Sequence, residues 1–343
     1  MGQALRDADA GVELLFVGSS HGPEGKIAED AGIPFKAVPS GSLTKSLSFR
    51  NAASLMKLIA GIFRAKRILK NFAPDVVLGT GGYTTAAVLL AQWMLHGKIV
   101  VHEQNAIPGR TNRWLARIAK KVCVSFDSDI SVFPKERVVV TGMPVRKEFA
   151  SLPKKVEARR ALGLDGNAFT ILVVGGSQGA KKLNELILDV WPMIDDGNTQ
   201  ILHQVGVRNL DEVKAKMESN RDKHHIAAYL DMPVAVASAD LVIGRSGAST
   251  IAEITAAGLP SILIPYPYAY ADHQKLNAAY VADHSAAVMF DEAALTSESL
   301  VDIISELRSL PEKLNAMSEA SASLGKADAA NRVAEVVRSV ANS

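Results

Sequence analysis

The stretch VVGGSQGAKKLNELI, residues 173–187, carries an apolar run into Gly175, Gly176 and Gly179 and leaves them as a helical pattern. The run begins at Phe169, and FTILVV shows no polar alternation, as expected of a strand buried on both faces of a sheet. A buried strand, a glycine turn and a helix in that order form the first half of a crossover between parallel strands. Backbone N–H groups at the start of such a helix point outward, and the helix dipole favours an anion there. The turn therefore suits a phosphate; a tight connection with no ligand is the alternative.

The same unit recurs in both directions. Before it stand VELLFVG, DVVLG, KIVVHE, KVCVSF and RVVVTG; after it come TQILHQVG, HHIAAYL, DLVIG, SILIPY and AAVMF, with helical patterns between. Two prolines and a charged stretch in TGMPVRKEFASLPKKVEARRALGL break the series and place a linker around residues 146–165. The expected fold class is α/β: two doubly wound, Rossmann-like domains facing each other across a cleft. Ligands of such sheets sit beyond the carboxyl ends of the strands, where the glycine turns lie. The two halves share a pattern but no sequence repeat.

Composition sets the bounds. A chain of 343 residues, 48% hydrophobic and 22% charged, is long enough for two globular domains with separate cores. The single Cys123 excludes a disulfide framework and any zinc site built on several thiolates, and a reducing cytoplasm fits. No apolar run approaches the ~18 residues that cross a bilayer, and MGQALRDADA has no signal-peptide pattern. Charge is unevenly spread. Residues 1–150 hold 20 Lys and Arg against 12 Asp and Glu, whereas residues 151–343 hold 18 against 24. From Ala31 to Pro74 there are eight basic residues and no acid, so the two halves expect different partners.

Three glycine turns follow strands: LGTGGYTT (78–85), VGGSQGA (174–180) and GRSGAST (244–250). A dinucleotide fold would need G-x-G-x-x-G and an acid ending the next strand, but the glycines are spaced differently and Asp195 and Asp196 precede that strand. No G-x-x-x-x-G-K-[ST] is present either, so NAD and P-loop chemistry are not expected. In GRSGASTIAEI, Gly247 closes a strand, and Ser249 and Thr250 open a helix with backbone and hydroxyl donors suited to a diphosphate. Glu253 lies four residues after Ser249, one turn along the same face, where a carboxylate can accept both hydroxyls of a ribose. It can also merely complement the helix dipole. Two phosphate turns in one half favour a nucleoside diphosphate site. Downstream, YADHQKLNA places Asp272, His273, Gln274 and Asn277 after a strand, and side-chain amides suit sugar hydroxyls.

Together GTGGY, HEQNAIPGRTN, TGMPVR, VVGGSQGA, RSGASTIAEI, AAGLPSILIPYP and DHQKLNA resemble the MurG family, the bacterial N-acetylglucosaminyltransferases of lipid II synthesis. The resemblance runs from about Val12 to the C-terminal helix. It implies the glycosyltransferase B fold, with residues 1–145 as the acceptor and membrane-side domain and 146–325 as the UDP-GlcNAc domain. A final helix at about 326–343 packs back on the first domain. It further implies inverting transfer of GlcNAc from UDP-GlcNAc to the MurNAc 4-hydroxyl of lipid I (undecaprenyl-pyrophosphoryl-MurNAc-pentapeptide), with no cofactor and no obligatory metal. On the donor side it implies Ser177 at the diphosphate, Ala248, Ser249, Thr250, Ile251 and Ala252 along diphosphate and sugar, and Glu253 on the ribose. Leu230 falls at the uracil, Gln274 at the GlcNAc hydroxyls, and Asn105 and Arg146 reach the donor. Gly81, Gly82, Tyr83 and Glu103 fall on the acceptor side. Partners are then the two substrates, anionic inner-leaflet lipids and cell-wall synthesis proteins, with no nucleic acid.

The chain departs from that family at its start. Relatives open with a strand, a glycine loop ending in the usual candidate base, a histidine, and a helix; this chain enters near the end of that helix. None of its eight histidines takes that place, His21 and His102 included, so the first sheet is expected without its first strand and the base is unassigned, with Glu103 a candidate. An impaired UDP-GlcNAc-binding chain is therefore one alternative; a UDP-sugar epimerase, a glycolipid synthase and a non-catalytic scaffold are others. FDSD (126–129) matches the D-x-D metal signature of another transferase fold, but it lies away from the phosphate turns, and Asp127 and Asp129 read as loop acids.

Residues 42–72 carry Leu55, Leu58, Ile59, Ile62, Phe63 and Leu69 largely on one helical face, with Lys57, Arg64 and Arg67 opposite. Most of this reads as a crossover helix burying its apolar face on the sheet. The preceding Leu43, Leu47 and Phe49, set among Lys45 and Arg50, suit contact with anionic lipid on the cytoplasmic side of the cell membrane.

Overall fold

The structure is a computed structural model that describes residues 1–343 except 21, 23, 40, 42–48, 177, 178 and 218–222, with 49–53 described by backbone alone. Ser177, His21, Leu43, Lys45 and Leu47 fall outside the described residues, as do the side chains of Phe49 and Arg50. The chain divides into two compact units, Met1–Gly142 with Ala329–Ser343, and Met143–Asp328.

The first unit runs α1 (Gly2–Ala8), β1 (Phe16–Ser19), α2 (Glu24–Asp30), β2 (Phe35–Val38), α3 (Phe49–Phe72), β3 (Val76–Gly79), α4 (Gly82–Met94), β4 (Lys98–Glu103), α5 (Arg110–Leu115), β5 (Lys121–Val124) and β6 (Val138–Val140). Strands β3-β4-β5-β6 form one parallel sheet, β1 and β2 pair in parallel, and among the described residues no ladder joins β1 to β3. FKAV, which forms β2, is a strand the sequence did not announce; four residues are too few for a pattern. Its length also limits β1, whose pairing runs only from Phe16 with Phe35 to Ser19 with Val38.

Along β4, successive side chains leave opposite faces. Ile99 and Val101 join Leu89 of α4 and Leu115 of α5 in one core. Val100, with Cys123, meets Val333, Val337 and Val340 in the other. Those valines belong to the last helix of the chain, Ala329–Ala341, whose i, i+4, i+7 spacing presents one apolar stripe.

The α3 face differs from the sequence expectation. Ala65 and Leu69 are buried, with Ile62 and Ile68 packed beside them, but Leu55, Met56, Ile59 and Phe63 stand exposed, Phe63 at 65%. Small residues set this orientation: a Cβ on Gly61 would run into the Pro39 carbonyl and lie 3.4 Å from Ala87 of α4. The close approach turns the face of Gly61 and Ala65 inward, with Ile62, Ile68 and Leu69, and leaves Leu55, Met56, Ile59 and Phe63 outward.

The second unit runs α6 (Lys155–Ala161), β7 (Phe169–Val174), α7 (Lys181–Ile194), β8 (Thr199–Gln204), α8 (Leu210–Lys216), β9 (His224–Ala227), α9 (Met232–Ser238), β10 (Leu241–Gly244), α10 (Ala248–Ala256), β11 (Ser261–Leu263), α11 (His273–Asp283), β12 (Ala287–Met289), α12 (Ser297–Ser309) and α13 (Pro311–Leu324); the final helix of the chain is α14. Much of the segment read as a linker is thus structured, by a 3-10 turn at Lys147–Ala150 and by α6. All six strands are parallel, in the order β12-β11-β10-β7-β8-β9. Winding reverses between β7 and β10, so the two glycine turns leave adjacent strands at the topological switch point, where α/β sheets hold ligands. Ile171, Val173, Ile187, Trp191, Ile201, Ile243 and Ile304 fill the core below.

Candidate functional site

The turn after β7 admits only glycine where it is tightest. A Cβ on Gly175 would lie 2.8 Å from the Ala180 nitrogen; Gly179, at φ +75, would drive one into the Val205 carbonyl and the Asn209 side chain. The turn closes through Gly179 N–H to the Gly176 carbonyl at 3.0 Å. The first bond inside α7 is Asn184 N–H to Ala180 O at 2.8 Å, so the N–H groups of Lys181, Lys182 and Leu183 have no partner within the helix. Beneath the turn, Asn184 donates to Val205 O at 3.1 Å and accepts from His203 at 3.1 Å, and His203 lies 3.1 Å from His224.

The turn after β10 is tied to the first by Arg245 N–H, which donates to Val174 O at 3.1 Å. Helix α10 then starts with Gly247 as its N-cap, no side-chain cap and no acid in its first turn. Its first internal bond is Ile251 N–H to Gly247 O at 3.0 Å, leaving the Ala248, Ser249 and Thr250 N–H groups for an anion. Ser249 is exposed and Thr250 half-buried, so their hydroxyls are accessible. Ile251 turns inward, 3% exposed with its N–H already used, and serves the core. Glu253 is half-buried one turn along. Burial pushes its carboxyl above the ordinary range, and the Arg146 charge opposes that rise. Arg146 itself is exposed, 3.6 Å from the Asp231 carboxylate, with its guanidinium 5.9 Å from the Phe149 ring. Next to Asp231, Leu230 is half-buried and its N–H donates to Gln204 Oε1 at 3.0 Å.

Gln274 sits in the first turn of α11. Its Oε1 accepts from Tyr266 N–H at 3.0 Å, and its carbonyl accepts from Ser246 Oγ at 2.7 Å. With the oxygen so fixed, the amide's Nε2 is the end left to donate. Asn277 is fully buried and donates to the Ser246 carbonyl at 3.2 Å, so it holds the turn. Two residues that sequence reading passed over are central here. Arg245 is buried and forks onto the Ile264 and Pro265 carbonyls at 3.0 and 3.2 Å, and it pairs with Glu292. The arginine signal lay inside GRSGAST; Glu292, in a different loop, gave none.

In the first unit, the turn after β3 holds Gly81 and Gly82 at φ +93 and +84, and α4 starts there with Tyr83 39% exposed. Glu103, considered above as a base, is 2% exposed. Its oxygens accept from Asn105 N–H at 3.0 Å, Gly109 N–H at 3.0 Å and Asn112 Nδ2 at 2.8 Å. A carboxylate so occupied braces the turn from Gln104 to Asn112, and that is the job its geometry fits. Asn105 is half-buried on this turn. His102 is buried and bonded to the Gly142 carbonyl at 3.0 Å, and burial lowers its pKa. Among the described residues no group of three or more His, Cys, Asp or Glu side chains is placed to hold a metal.

Comparison with known proteins bears on both units. Residues 170–333 match the glycosyltransferase family 28 C-terminal domain and residues 1–124 its N-terminal domain. The UDP-N-acetylglucosamine--N-acetylmuramyl-(pentapeptide) pyrophosphoryl-undecaprenol N-acetylglucosamine transferase of Bacillus pumilus is 39% identical over 332 residues, covering 96% of this chain and 91% of its own. The protein of the same name from Desulforudis audaxviator is 38% identical over 344 residues, 96% and 90% of the two chains. Among solved structures, MurG of Acinetobacter baumannii superposes with a TM-score of 0.79 at 27% identity, covering 98% of this chain and 95% of its own.

Proposed function

Because this chain belongs to glycosyltransferase family 28 and, within it, to the MurG family, we infer that it is an inverting N-acetylglucosaminyltransferase. It moves GlcNAc from UDP-GlcNAc to the MurNAc 4-hydroxyl of lipid I, forming lipid II for peptidoglycan. The observation that carries the donor assignment is the meeting of two glycine turns at the switch point of the second sheet, with an uncapped helix start and Glu253 one turn behind it.

In this reading the N–H groups of Ala248, Ser249 and Thr250 hold the diphosphate, and Glu253 accepts the ribose hydroxyls. Gln274 donates Nε2 to a GlcNAc hydroxyl, and Leu230 packs on the uracil. As the acceptor hydroxyl attacks C1, the bond to the diphosphate oxygen breaks and negative charge builds on the departing UDP. The α10 N–H groups already point at that charge, and a preorganised donor of this kind contributes about a hundredfold to a thousandfold in rate. Gly81, Gly82 and Tyr83 serve the acceptor.

The test is transfer of labelled GlcNAc to a lipid I analogue, with calorimetry of UDP-GlcNAc on the wild type and on Glu253→Ala. Loss of one or two charge-assisted hydrogen bonds should weaken donor binding by ~1.5–3 kcal/mol each. Saturable binding without transfer would overturn the transferase reading, and 2-epimerisation without lipid would replace it. Equal affinity in the two proteins would remove the ribose role.

We also propose that the first unit rests peripherally on an anionic membrane surface, where the polyprenyl acceptor lies. No helix among the described residues is long and apolar enough to cross a bilayer. Instead Leu55, Met56, Ile59 and Phe63 project from α3, and Arg110, Arg113 and Arg117 line a cavity of about 240 Å³ with Trp114 and Val132. In that cavity apolar Trp114 and Val132 stand beside the arginines, a pairing that suits the headgroup boundary.

A further inference from the structure

We propose that Glu292, acting through Arg245, is a positioning residue that sets Gln274 for the donor sugar and thereby contributes to sugar discrimination. The proposal rests on the donor site argued above and adds residues that site did not include.

The chain of contacts is continuous. Glu292 follows β12, with its side chain 11% exposed, and pairs with Arg245, whose side chain is 8% exposed. Its other oxygen faces Lys182 Nζ at 3.5 Å, on the first turn of α7. The Arg245 fork grips the Ile264 and Pro265 carbonyls, and its guanidinium lies 5.6 Å from the Tyr266 ring centroid. Tyr266 N–H then holds Gln274 Oε1. One carboxylate thus links the helix after the first glycine turn, the residue after β10 and the segment that aims the sugar-facing amide.

That segment needs a clamp. Between Tyr266 and Gln274 the chain exposes Tyr268 at 77% and Tyr270 at 64%, and it takes Ala271 and Asp272 through the left-handed region at φ +53 each. Two successive non-glycine residues there are strained and persist only where their surroundings hold them. The entry to the segment is gripped by Arg245, and its exit by Ser246 Oγ on the Gln274 carbonyl. A nearly buried guanidinium keeps its place only with its counter-charge; without Glu292 it is drawn toward water and releases the two carbonyls. Gln274 then loses the fixed Tyr266 N–H that tells its oxygen end from its nitrogen end.

An ion pair that only stabilised the fold would affect UDP and UDP-GlcNAc alike. A positioning pair weakens the sugar-bearing ligand selectively, because the diphosphate turn next to Arg245 is tied by its backbone N–H to Val174 O, whereas the guanidinium acts on the Ile264–Tyr266 segment. Glu292→Gln in the full chain, titrated with UDP and with UDP-GlcNAc, separates the two. The expected result is UDP affinity within twofold of wild type and UDP-GlcNAc affinity five- to tenfold weaker. KM for UDP-GlcNAc should rise by the same factor at near-constant kcat, and the preference over the 4-epimer UDP-GalNAc should narrow. Arg245→Lys, which keeps the charge but loses the fork, should give the same ratio and serves if Glu292→Gln does not fold. Combined with Gln274→Ala, Glu292→Gln should add no further loss. Equal weakening of both ligands, no change in either, or losses that multiply in the double variant would overturn the proposal. A wild-type chain that bound neither ligand would overturn the donor site, and the clamp with it.

Discussion

Acidification from pH 7.5 to 5.0 should destabilise the second unit through His203 and His224, by about 2 kcal/mol from His224 alone. His203 on β8 and His224 on β9 are 0% and 3% exposed, 3.1 Å apart between ring nitrogens. Asn184 takes the far side of His203, the Trp191 ring meets His224 edge-on, and His224 Nδ1 has no hydrogen-bond partner among the described residues. Among the described residues no carboxylate is hydrogen-bonded to either ring to offset a positive charge. Burial pushes the His224 imidazole down to about 4 and lowers His203 well below its ordinary value, each also repelled by a neighbouring histidine.

The unfolded chain therefore binds protons below about pH 6.5 that the folded chain refuses until about pH 4. Stability is full above the unfolded value and falls as pH drops toward the folded one. His203 adds loss of the same sign. Asp196, held at about 2 by its hydrogen bond to Arg308, stays ionised throughout the window. Glu253, whose carboxyl burial raises, works in the opposite sense and partly offsets the loss. With Trp93 and Trp114 replaced by Phe, Trp191 fluorescence reports this unit alone, and the urea midpoint should fall by roughly 1 M between the two pH values. In His224→Gln the pH-dependent part should shrink by the His224 share. Equal midpoints at both pH values, or an unaltered pH dependence in that variant, would refute the reasoning.

Gly179→Ala should destabilise by at least ~2 kcal/mol and weaken UDP binding, since positive φ and two blocked contacts act together; thermal melts with and without UDP measure it. Asp240→Ala should cost about 3–5 kcal/mol. It strips the counter-charge from the buried Arg159 at 2.5 Å, the Lys155 ammonium at 2.6 Å and the Thr170 N–H at 2.8 Å, and urea unfolding reads the loss. Arg113→Ala with Arg117→Ala should weaken sedimentation with phosphatidylglycerol vesicles about thirtyfold, at ~1 kcal/mol per basic group, and added salt should weaken wild-type binding too.

What the sequence determined was local. Apolar runs announced the strands of the second sheet, and glycine turns marked the ends of β7 and β10, because a buried parallel strand and a positive φ each restrict residue type within a few positions. Ser249 to Glu253 is one helical turn, so those side chains were known to share a face before any packing was known. Tertiary structure alone made β7 and β10 neighbours, since strand order is set by which edges bury best and leaves no trace in periodicity. That adjacency brings two turns, some 70 residues apart in the chain, side by side. The same nonlocality explains the rest. Glu292 gains meaning only opposite Arg245, and Glu103 changes from candidate base to brace once three donors converge on it. On α3, helical periodicity counted Leu55, Ile59 and Phe63 with the core. Close packing against α4 at Gly61 instead buried the face of Gly61, Ala65 and Leu69 and turned those residues outward, because the volume available beneath a helix belongs to its neighbour.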